Sequence, residues 1–136
     1  MEQEALWSAE AVFAADAGSA AKARAFVVHQ LVEHRLLYLV DEVRLVASEL
    51  ATNAVVHAQT DFTVRLAGHP DSVLLTVREG SLTAPAPGRA RPSELAISGR
   101  GLLIVNLVSR AWGVDGEYGD GKSVWASFAL RPRVVS

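Results

Sequence analysis

The chain has 136 residues, 50% of them hydrophobic and none of them cysteine, which suits one domain with its own core and excludes disulfide staples and cysteine-dependent zinc, iron–sulfur and thiol chemistry. Lys plus Arg total 13 against 15 Asp plus Glu, a formal net charge of -2, and the basic residues are scattered, so no direct nucleic-acid contact is expected. No run approaches the length of an apolar membrane span and Met1-Glu2-Gln3-Glu4 does not open a signal peptide, so the expectation is a cytoplasmic protein without membrane contact.

Ala11 to Ala15 reads as a short strand at a sheet edge. Asp16 to Ser19 supplies turn and cap residues, after which Ala23, Phe26, Val27, Leu31 and Val32 recur at helical spacing between Ala20 and His34. A second helix is expected from about Val40 to His57, with Asp41 and Glu42 at its positive end. Its apolar face, Leu45, Val46, Leu50, Ala54 and Val55, is of the kind that lies on a sheet. Phe62, Val64 and Leu66 alternate with polar neighbours, His69-Pro70-Asp71 breaks the pattern, and Val73, Leu75 and Val77 resume it as the return strand of a hairpin.

Ser81 to Ser98 holds three prolines and no sustained period. Connections in compact domains run to about four to six residues, so a loop of this length suggests a lid or binding loop. Leu102, Leu103, Val105, Leu107 and Val108 then mark a third helix opening at Gly99-Arg100-Gly101. A second hairpin, Trp112-Gly113-Val114 with Ser123 to Phe128, closes the chain. The expected architecture is a single α/β two-layer sandwich over residues 1–136, a mixed, largely antiparallel sheet with three helices on one face.

Glu49, Asn53 and His57 are spaced by four, which lines them up along the second helix on a side other than the apolar one. A solvated helix flank accounts for that spacing. So does a functional row in which Glu49 accepts a proton and Asn53 offers a neutral oxygen to a hard cation such as Mg2+. His57 sits near the helix end, where interaction with the dipole is the simpler account, and His29, His34 and His69 form no zinc set with it.

Gly99 and Gly101 bring glycine to a helix start, where free N–H groups and the dipole favour phosphate; an ordinary hinge and helix start is the competing reading. The full glycine patterns of the Walker and Rossmann motifs are absent. Glu79 ends a strand just before the long loop, where its carboxylate could accept a hydrogen bond from an exocyclic amine or simply meet solvent. Lys122 and Ser123 open the last strand, the hydroxyl being a candidate for the same network and a hairpin turn being the plainer account.

The order of these pieces resembles the ATP-binding domain shared by histidine kinases, gyrase, mismatch-repair and heat-shock chaperone ATPases, and more narrowly the small actinobacterial anti-sigma factor serine/threonine kinases. Ser48-Glu49-Leu50-Ala51-Thr52-Asn53-Ala54-Val55-Val56-His57-Ala58 is similar to the family's first box and Gly99-Arg100-Gly101-Leu102-Leu103-Ile104-Val105 to its glycine box. Trp112-Gly113 and Gly121-Lys122-Ser123-Val124-Trp125 are similar to its closing hairpin, and the likeness covers about Phe13 to Leu130.

The resemblance implies the Bergerat ATP-binding fold, ATP and Mg2+ as cofactors, and residues 81–98 as the ATP lid. It implies Glu49 as the catalytic carboxylate, Asn53 as the Mg2+ ligand, and Gly99, Arg100, Gly101 and Leu102 as the phosphate-binding helix start. Glu79 would receive the adenine amine, and Ser123 would stand for the hydroxyl residue near the base. Glu79 departs from the family's aspartate by one methylene, and Ser81 stands where a glycine is usual. Accommodating that methylene in a snug pocket costs about 1–3 kcal/mol, or about ten- to a hundredfold in affinity. The implied activity is that of an anti-sigma factor phosphorylating its antagonist protein, with a sigma factor as second partner and a homodimer as the assembly. A nucleotide-binding module that grips its partner without phosphotransfer, and a scaffold that binds no nucleotide, are the alternatives.

Overall fold

The computed structural model describes residues 4–58, 60–79, 99–116 and 122–130. The chain opens with β1 (Trp7–Phe13) and α1 (Ser19–Glu33). A 3-10 turn (Leu37–Leu39) leads into α2 (Val40–Asn53), and a π-helical segment (Ala54–Ala58) follows it. The hairpin β2 (Phe62–Gly68) and β3 (Ser72–Glu79), the helix α3 (Gly99–Val108), and the strands β4 (Ala111–Gly116) and β5 (Lys122–Ala129) complete the order.

The five strands form one sheet in the order β1-β2-β3-β5-β4, and all four pairings are antiparallel. The expected two-layer α/β sandwich is therefore present, with a sheet more uniformly antiparallel than expected. The first strand starts at Trp7 rather than Ala11, because its seven residues pair along the whole of β2 from Trp7 opposite Gly68 to Phe13 opposite Phe62. Trp7 also stacks on His34, ring centroids 3.7 Å apart, which ties the strand to the far end of α1.

Asp16 organises the start of α1, its Oδ1 accepting from the Gly18 N–H and the Ser19 hydroxyl, each at 3.1 Å. Arg35, two residues past the end of α1, takes a left-handed φ of 60°. Arg35 N–H donates to Val32 O at 3.1 Å and Leu36 N–H to Leu31 O at 2.8 Å, the pair of bonds that closes an αL cap. Leu36 thereby returns to the core, against which it packs.

Val27, Leu31, Val43, Val46, Val64, Leu66, Val73, Leu75 and Val105 are fully buried between helices and sheet, each side chain contributing about 1.5–3 kcal/mol of burial. α1 packs over β1 and β2, α2 over β3 and β5, and α3 against α2 and β4. Leu45, expected on the apolar face of α2, is 42% exposed; Val43, Ala47 and Ala51 lie in its place. No helix among the described residues is long and apolar enough to cross a membrane.

Candidate functional site

One end of the sheet carries a row of paired strand termini. Phe13 stands opposite Phe62, Phe62 opposite Glu79, Glu79 opposite Lys122, and Lys122 opposite Gly116. Side chains alternate between the faces of a strand. On β3 the buried Val73, Leu75 and Val77 face the helices, so Glu79 follows them onto that face; on β5 Val124, Ala126 and Phe128 place Lys122 there too.

Two apolar rows thus end in opposite charges. Nζ of Lys122 lies 3.2 Å from Oε2 of Glu79, with the side chains only 15% and 4% exposed. Glu79 is therefore no solvated strand end. Removing either partner would take an opposite charge away from the other in a poorly solvated place.

The second helix brings polar groups to this end. Residues 59–61 alone separate the π-helical segment from Phe62, and that segment contacts β3. Asn53, the last α-helical residue, is 5% exposed, and its Nδ2 has no hydrogen-bond partner among the described residues. This corrects the expectation of a polar row set apart from the apolar face. Leu50, one turn earlier, and the sequence neighbours Ala51 and Ala54 are buried as well.

Glu49, one turn earlier with Cβ atoms about 5–6 Å apart in an α-helix, is partly buried. Arg24 Nη1 donates to the adjacent Ser48 Oγ at 3.0 Å and pins this turn to α1. A π-turn bonds residue i to i+5, so the four-residue spacing does not carry the row regularly past Asn53; such turns recur at functional sites. The His57 side chain lies outside the described residues.

Thr60 adds a second buried polar atom, Oγ1, without a partner among the described residues. Nothing in the sequence marked it, since a threonine between a helix and a strand reads as a linker residue.

The turn of α3 that opens at Gly99 also belongs to this end. The chain reverses between Val108 and Ala111, and Ala111 pairs with Ser127 near the opposite end of the sheet. The first turn, Gly99 to Leu102, therefore lies toward the Glu79 end, and its N–H groups have no intrahelical acceptors. The side chains of Arg100 and Leu102, Gly80, Gly121 and the proposed lid at 81–98 lie outside the described residues.

Ser123 goes elsewhere. It pairs with Arg78, and the alternation that puts Glu79 and Lys122 on the helix side puts Ser123 and Arg78 on the other face of the sheet. Lys122, not Ser123, shares the face of Glu79, as counting back by two from buried Val124 shows.

Assembled, this end of the molecule offers an anionic acceptor beside a cationic donor, a buried carboxamide with an unmet hydrogen bond, a carboxylate one turn from it, and a helix start suited to phosphate. An unsatisfied buried amide costs about 1–3 kcal/mol, a penalty that a bound polar ligand would relieve. No group of three or more potential metal-ligating side chains exists among the described residues. No curated protein matches the chain. A family model, that of the histidine kinase-like ATPase domain, matches residues 13–128, from the last residue of β1 into the last strand. The chain belongs to the histidine kinase-like ATPase domain family, a membership that supports ATP binding.

Proposed function

We propose that the chain is an anti-sigma factor that uses Mg-ATP to phosphorylate a serine or threonine of its antagonist protein and that sequesters a sigma factor, working in the cytoplasm as a homodimer. The observation that carries the kinase reading is Asn53, buried with an unmet hydrogen bond one turn after Glu49. The narrower anti-sigma reading rests on the likeness of the Ser48 to Ala58 and Gly99 to Val105 segments to those kinases.

The residues fit a magnesium–nucleotide complex. A carboxamide can present its oxygen to a hard cation and its N–H2 to a phosphate oxygen, and Mg2+ is commonly held by few protein ligands together with substrate phosphates. Asn53 would be that ligand, and the ion would supply charge neutralisation on the phosphates.

Glu49 orients the partner's hydroxyl and accepts its proton as the hydroxyl oxygen bonds to the γ-phosphorus. The bond from the γ-phosphorus to its bridging oxygen breaks, and ADP leaves with that oxygen. The N–H groups of the Gly99 to Leu102 turn stabilise the charge that develops on the phosphate oxygens. Calorimetric titration with Mg-ATP, repeated on Asn53→Ala, tests the nucleotide site, and loss of binding in the variant is expected. Transfer of labelled phosphate to a co-produced antagonist, abolished by Glu49→Ala, tests the kinase.

Glu79 favours a second reading, a module that holds nucleotide and grips its partner without phosphotransfer, because it departs from the family's aspartate. No labelling by the native protein despite measurable ATP binding would establish that alternative.

A further inference from the structure

We infer that Lys122 is a base-reading residue, and that with Glu79 it recognises the adenine edge at two points. The inference rests on the nucleotide site proposed above. A carboxylate only accepts hydrogen bonds and an ammonium only donates them. Adenine carries its amine, a donor, between two unprotonated ring nitrogens, N1 and N7, both acceptors. A carboxylate and an ammonium held 3.2 Å apart match such an edge in one polarity: the amine donates to Glu79, and the neighbouring ring nitrogen accepts from Lys122.

A 6-oxopurine reverses that match. Guanine places a carbonyl oxygen where adenine has its amine, so an acceptor faces the carboxylate, and on the N1 side an N–H also faces the ammonium. A site with buried hydrogen-bonding groups rejects the analogue that leaves them unpaired far more strongly than an apolar pocket rejects a misfit. Burial matters for the same reason, since at 4% and 15% exposure little water is present to rescue a wrong pairing. The ammonium has three donors, so the ion pair with Glu79 does not exhaust it. The pair also gives the longer glutamate a fixed anchor in place of the shorter aspartate.

The decisive measurement is calorimetric titration of the native protein with the magnesium complexes of ATP, 1-deaza-ATP, 7-deaza-ATP and GTP. One deaza analogue should bind about ten- to a hundredfold more weakly than ATP, the loss of one charge-assisted hydrogen bond, and the other within about twofold. The weakened analogue identifies which ring nitrogen Lys122 meets. GTP should bind at least about a hundredfold more weakly. In Lys122→Met the difference between ATP and the weakened analogue should collapse to about twofold or less. Should that variant fail to fold, the analogue series on the native protein decides alone. Both deaza analogues binding like ATP, GTP binding as tightly as ATP, or unchanged discrimination in a folded Lys122→Met would overturn the inference while leaving the nucleotide site standing. Absence of any heat with Mg-ATP would instead remove the nucleotide site, and the base reader with it.

Discussion

Breaking the Glu79–Lys122 pair from one side should unfold the nucleotide-free protein early, and replacing both residues should restore much of the loss. In Lys122→Met the Glu79 carboxylate, its side chain 4% exposed, loses the ammonium beside it. Breaking a buried ion pair from one side costs about 3–5 kcal/mol. For a domain of 136 residues each kcal/mol moves the midpoint by about 3–4 °C, so Tm should fall by about 10–20 °C. Glu79→Leu should cost less, because the flexible stem of Lys122, 15% exposed, can carry its ammonium toward water. The double variant replaces the pair with apolar groups of similar size and should lie within about 2 kcal/mol of the native protein, since such replacements are often neutral. Urea unfolding of all four proteins, with unchanged m-values, yields the coupling energy, expected to exceed about 1.5 kcal/mol. Additive effects would show that the two charges do not sense one another, and the account of this end of the sheet would be wrong.

Three further outcomes follow from the geometry. In Gly68→Ala the new Cβ would meet the indole of Trp7, with Cδ1 only 2.7 Å away, so the ring must leave its stack on His34; a stability loss of about 1–3 kcal/mol by urea unfolding, smaller in a Trp7→Ala background, is expected. Ser123→Ala should leave the Kd for Mg-ATP within about twofold of native by calorimetry, because its side chain is on the face of the sheet away from Glu79. Chelation should not lower the Tm of the nucleotide-free protein, and magnesium should raise it only when ATP is also present, since no metal-binding cluster exists among the described side chains.

Much of this structure was legible from periodicity. The hairpin of β2 and β3, and α1 and α3, follow apolar repeats whose period matches their elements, and these lie within a residue or so of where the pattern puts them. β1 was only half visible, because Ser8, Ala9 and Glu10 lack strand propensity and become a strand by pairing along β2. Asn53 looked like a surface residue because spacing alone does not reveal that its turn of the helix is buried. Lys122 was hidden by its position after a glycine-rich turn, where lysine ordinarily means solvent. Asn53 is thus buried, and Lys122 mostly covered, against the general tendency of their types. Such exceptions concentrate at sites where a local rule is broken for function.

The sheet has a second face, bearing Ser8, Glu10, Thr63, Arg65, Thr76, Arg78, Ser123 and Trp125, and no described helix packs on it. Its side chains project away from the Glu79 end of the core and from the turn that holds Asn53. Substitutions there can change the character of that surface while the opposite face keeps its side chains. Alternate residues of the same strands can therefore vary with little interference between the two faces.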